Sequence, residues 1–183
     1  MDADPRHPDG SYDPVAKVFH WVTVPLMAMA LASGFTIAHV RDASKLGFYA
    51  IHESLGLTIL LLSLARIAWR QWRPPPPLPE HLPLPLRRLA KGTHHALYAV
   101  LVLQPLLGFF ATNAFGFPMQ GATAYLGFID LPKFMDKQEA LAWVLLGAHQ
   151  VLAWLILPLL LAHVAAAIWH HAIRRDGMLL RML

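Results

Sequence analysis

The sequence predicts an all-α fold, an integral membrane four-helix bundle with both termini cytoplasmic, and three observations predict it. The chain of 183 residues is 56% hydrophobic and 14% charged, with a mean hydropathy of +0.45. An ordinary soluble domain carries roughly 25% charged residues, and a chain this short and apolar lacks the polar surface to cover a core in water. Its apolar residues fall in four long runs, and its basic residues gather on alternate connections between them. The length allows one domain. The absence of cysteine excludes a disulfide framework, thiolate metal sites, iron–sulfur clusters and cysteine nucleophiles.

Residues 1–14 form a polar, acidic tail. The apolar run behind it exceeds the roughly 7–15 residues of a cleavable signal core, so no signal peptide is expected. A first helix is placed near 15–39, where 18–38 holds no Asp, Glu, Lys or Arg. A second is placed near 47–70, its run broken only by Glu53. Then come the uncharged stretches 92–129 and 140–173, which give helices near 93–114 and 141–171. Each run meets the about 20 residues a spanning helix needs. The third exceeds one helix, and the stretch from Asn113 to Pro118 reads as a helix end followed by a loop. Residues 15–173 thus form the transmembrane domain and 174–183 a C-terminal cytoplasmic tail. Prolines 74–77, 79, 83 and 85 make the second connection a stiff polyproline strap between two helical hairpins. No internal repeat is discerned.

Eleven basic residues (Arg6, Lys17, Arg66, Arg70, Arg73, Arg87, Arg88, Lys91, Arg174, Arg175, Arg181) lie on the tails and second connection. Four (Arg41, Lys45, Lys133, Lys137) lie on the other two connections. The positive-inside rule then puts both termini in the cytoplasm. The net charge of +4 is therefore an orientation signal, and no nucleic-acid partner is expected.

Eleven histidines are many for so apolar a chain. His7 and His81 fall in polar segments and His39 at an external helix end, where water solvates them. His20, His52, His149 and His163 lie at membrane depth, where an ionisable side chain faces the bundle interior with a partner. His149 and His163 stand fourteen residues apart, about 21 Å along one face of the fourth helix. Helix direction makes His52 and His149 external, His20 and His163 cytoplasmic. Paired by depth as His52–His149 and His20–His163, they supply two axial imidazoles to each of two b haems, which need no cysteine. A histidine-lined, non-haem transporter is the competing reading. It is weakened because only Glu53 among the carboxylates lies near membrane depth, where a transporter needs several.

The ordered set of residues resembles the bacterial cytochrome b561 family. It comprises His20 followed by Trp21, Ile51-His52 with Gly56, the proline-rich connection, and His94 with Tyr98 and Pro105-Leu-Leu-Gly108. His149, His163, His170 and His171, then the final Leu179-Leu-Arg-Met182, complete it. The resemblance covers nearly the whole chain. It implies a di-haem b cytochrome of the bacterial inner membrane, with ligand positions falling on His20, His52, His149 and His163. Its stand-alone members imply oxidation of external superoxide, or another small external donor, with reduction of ubiquinone. The same domain type also implies an alternative, a haem-bearing docking subunit that links a hydrogenase- or dehydrogenase-type partner protein to quinone. The chain lacks a fifth hydrophobic run and looks more like the stand-alone proteins.

A quinone site is expected at the cytoplasmic end, where His170 and His94 offer imidazoles to a quinone carbonyl. His171, His95 and Lys91 are second choices there. On the external side, Lys133, Lys137, Arg41 and Lys45 are the cations available to steer an anion. Asp42, Asp130, Asp136 and Glu139 offset them.

Overall fold

The structure, a computed structural model, describes residues 10–79 and 82–183. Arg6, His7 and His81 lie outside the described residues. Four helices follow one another: α1 (Pro14–His39), α2 (Lys45–Trp72), α3 (Leu84–Phe115) and α4 (Glu139–Trp169). All four are long and apolar enough to cross a membrane. No strand occurs among the described residues.

Local chemistry sets the ends. Asp13 caps α1, its carboxylate accepting from the Val15 and Ala16 N–H groups at 3.1 Å each, with Pro14 at the first position. Gly116 closes α3 in the left-handed region at φ 88°, where a side chain would be strained. The structure starts α3 at Leu84, well before the uncharged run. Proline near its first turn favours a helix start, and Arg87, Arg88 and Lys91 carry the helix beyond the hydrocarbon. At 32 residues α3 is about 48 Å long, against about 30 Å of hydrocarbon. Lack of charge marks where a helix is in lipid, and α3 continues outside it.

α1 packs on α2, α3 on α4, and α2 joins the two hairpins through α3. Ala30, Ile59 and Leu101 form a small buried cluster with Leu26, Met27 and Leu55 against it. Much of the remaining apolar surface faces outward: Val151, Trp154 and Leu161 of α4 are 61%, 65% and 71% exposed. Water would not tolerate such a belt on helices this long, and lipid requires it. The protein is a multi-pass membrane protein.

At one end the loop 116–138 folds over α2. The Tyr125 hydroxyl meets Thr58 Oγ1 at 3.0 Å, and the Leu126 N–H donates to Ser54 Oγ at 3.1 Å. At the other end the segment before α1 meets the C-terminal segment. The Tyr12 N–H donates to the Arg181 carbonyl, and the Arg181 guanidinium donates to the carbonyls of Gly10 (2.6 Å) and Pro77 (2.8 Å). Gly10 and Tyr12 thus share one end of the bundle with the C-terminal segment.

Candidate cofactor site

At the loop-covered end His52 of α2 and His149 of α4 face each other, with ring centroids 6.0 Å apart. Each is held by the neighbouring helix of its own hairpin in the same way. His52 Nδ1 lies 2.9 Å from the Ala30 carbonyl, and its ring rests against Gly34, four residues further along α1. His149 Nδ1 lies 3.0 Å from the Gln104 carbonyl, and its ring rests against Gly108, four residues further along α3. A Cβ at Gly34 would stand 2.9 Å from His52 Cε1, and one at Gly108 3.0 Å from His149 Cε1. Both positions are cradles that only glycine leaves open.

A carbonyl only accepts, so both Nδ1 atoms carry the proton and both Nε2 lone pairs are left for another partner. The Gln104 amide Nε2, 3.3 Å from His149 Nε2, fills that role. Gln104 Oε1 is buried without a hydrogen bond.

At the other end the rings of His20 and His163 are 6.3 Å apart, and those of His94 and His163 5.6 Å apart. Arg66 Nη2 approaches His20 Nδ1 at 3.4 Å, and the guanidinia of Arg66 and Arg70 lie over the Tyr98 ring. His94 and Tyr98 line a cleft there with Arg66, Arg70, Trp69 and Tyr12. His170 does not line it. Its Nδ1 is 2.6 Å from Asp176 Oδ2, beside Arg174. Burial pushes the Asp176 carboxyl up, but bonds from His170, the Met178 N–H and Arg174 hold it below the usual carboxylate range. The structure therefore brings His94 beside His163 and leaves His170 with the C-terminal segment. His171 and His95 are outside the cleft lining too, the latter bonded to the Lys91 carbonyl.

These pairs fit a b haem. An imidazole–metal bond of about 2 Å, plus about 1 Å from nitrogen to ring centre, separates two rings on one iron by about 6 Å. Among the described residues no group of three or more His, Asp or Glu side chains could hold a bare ion. A haem supplies four iron ligands itself and asks the protein for two.

The geometry also exposes an internal correspondence that sequence reading missed. His20 and Gly34 on α1, His52 and Arg66 on α2, His94 and Gly108 on α3, and His149 and His163 on α4 are each fourteen residues apart. The first hairpin matches the second element by element, with Arg66 standing where His163 stands. The signal lay in the spacing, which the unequal connections conceal.

The family model described as prokaryotic cytochrome b561 matches residues 11–183. Over 177 residues the chain is 29% identical to cytochrome b561 homolog 2 of Escherichia coli (strain K12), covering 94% of this chain and 90% of that protein. It is 28% identical over 170 residues to a probable superoxide oxidase CybB of Yersinia pestis, covering 90% of each. It is 27% identical over 179 residues to a cytochrome b562 of Cereibacter sphaeroides, covering 94% of each.

Proposed function

The chain belongs to the prokaryotic cytochrome b561 family, and from that premise we propose that it binds two b haems and carries electrons from periplasmic superoxide to ubiquinone. The observation that carries this is the presence of two histidine pairs, 6.0 and 6.3 Å apart, at opposite ends of one bundle. His52 and His149 hold the external haem, and His20 and His163 the cytoplasmic one, in the bacterial inner membrane with both termini inside. When bound, the two haems supply one-electron carriers between the faces. The chain's own residues do the rest.

Ala30 and Gln104 fix the external imidazoles by their Nδ1–H bonds, which keeps Nε2 directed inward and raises its basicity. On the outer surface Lys133 is paired with Asp136 and Lys137 with Glu139. Asp42 is taken by Ser44, whose hydroxyl and N–H hold its carboxylate ionised. Arg41 and Lys45 remain as the cations before His52 to draw an anionic donor. At the cytoplasmic end His94 lines the cleft and, once protonated from the cytoplasm, donates a hydrogen bond and then that proton to a quinone carbonyl. Two superoxide anions give two dioxygen and two electrons, which with two cytoplasmic protons convert quinone to quinol.

The purified protein should contain two haems per chain by pyridine haemochrome, be reduced by superoxide in detergent, and then reduce added ubiquinone. Absence of haem sinks the reading. Two haems with no response to superoxide, and a co-purifying dehydrogenase, would move it to the docking subunit.

A further inference from the structure

The fourteen-residue correspondence makes His20 of α1 and His94 of α3 equivalent positions, and both reach the same imidazole. His163 lies 6.3 Å from the first ring and 5.6 Å from the second, either side of the about 6 Å that one shared iron requires. The two differ in their surroundings. A guanidinium only donates, so Arg66, 3.4 Å from His20 Nδ1, favours the proton on His20 Nε2. Ligation through Nε2 requires the opposite tautomer, so Arg66 must withdraw before His20 can serve. No hydrogen bond to an arginine is present at His94 among the described residues, and it already borders the cleft.

Resting on the di-haem reading, we propose that His163 is the fixed ligand of the cytoplasmic haem and that His20 and His94 are interchangeable in the opposite axial position. The duplicated hairpins place two imidazoles where one is needed. Of the two, His94 lines the cleft, and while it is off the iron it is free to serve the quinone. His94 has that free role while His20 is ligated, and it moves to the iron when His20 is lost. Among the described residues no such reserve exists at the external end, where the Ala30 and Gln104 carbonyls tether the two imidazoles and no third histidine ring meets them.

The test uses the full chain purified in detergent, comparing His20→Ala, His94→Ala, the double variant and His163→Ala. Haem per chain and the low-spin visible spectrum are measured for each. Both single variants are expected to keep two low-spin haems, whereas the double variant and His163→Ala fall to one. Retention of the external haem in those two shows that the bundle still folds. His20→Ala should also lose quinone reduction by at least tenfold, because its remaining imidazole has been taken by the iron. The proposal is overturned if either single variant drops to one haem or turns high-spin. A wild-type chain without two haems would instead overturn the di-haem reading, before any variant is made.

Discussion

Gly34 and Gly108 show how far single residues decide this site. The meeting of His52 with His149 and of His20 with His163 is legible because ionisable side chains in long apolar runs are few and helix direction orders them. The glycines are not, since their role depends on which helix lies opposite, and no local pattern states that. A methyl group at Gly108 would stand 3.0 Å from an imidazole that is tied to the Gln104 carbonyl and cannot retreat. Gly108→Ala gains about 1 kcal/mol of helix propensity, while overpacking of this kind costs about 1–3 kcal/mol and misdirects the ring. It should remove the external haem and spare the cytoplasmic one, counted by haemochrome and redox titration. Gly34→Ala should do the same through His52. Gly147→Ala is the control, since nothing lies within 4 Å of its Cβ, and it should keep both haems. Full retention of haem in Gly108→Ala would show that the cradle does not matter.

Elements read well where lipid dictates them and poorly where it does not. The four spans are legible because a charge-free run of sufficient length has one use in this chain. The length of α3 is not, since its first turns leave the bilayer and carry Arg87 and Arg88 like any soluble helix. The segment after α4 is also hidden. A five-residue π-helical turn, His170–Arg174, ends the helix, and Asp176 gathers His170 and Arg174 to turn the tail back across the bundle. Its carboxyl sits below its ordinary value, so the tail gains stability that is complete above about pH 4 and is lost as pH falls through the lower folded value. The chain has no cysteine, so a spin label on Leu183→Cys reports the tail alone. The label should stay immobile from pH 7 to about 4.5 and loosen below about pH 4. Asp176→Asn should be loose at pH 7. A label equally immobile at every pH, or in Asp176→Asn, would mean that Arg181 holds the tail without help from Asp176.

At the scale of the whole molecule, the two faces differ in what their charges can do. Several of the basic residues at the end that the proposed topology makes cytoplasmic are spent on structure: Arg181 binds two carbonyls and Arg66 and Arg70 cover Tyr98. The corresponding hairpins relate one side of the bundle to the other and leave its two ends different, since His20, His94 and His163 meet at one end and His52 and His149 at the other. At the loop-covered end the lysines of the long loop are paired with their neighbours, while Arg41 precedes α2 and Lys45 opens it, with Asp42 between them. That leaves a local charge of +1 before His52, which the sequence totals conceal because they count the loop and the short turn together. Steering by such patches raises association rates by about tenfold or more at low salt, and it fades when the Debye length shrinks to about 3 Å near 1 M salt. The variant Arg41→Glu with Lys45→Glu reverses the patch without touching either proposed haem pair. Its haems should be reduced by superoxide roughly tenfold more slowly at low ionic strength, with the gap closing as salt is added. Reduction by an uncharged donor such as a quinol analogue should be unchanged in the same variant. Equal slowing with both donors would place the fault in the haem site, and no slowing with either would remove Arg41 and Lys45 from the approach path.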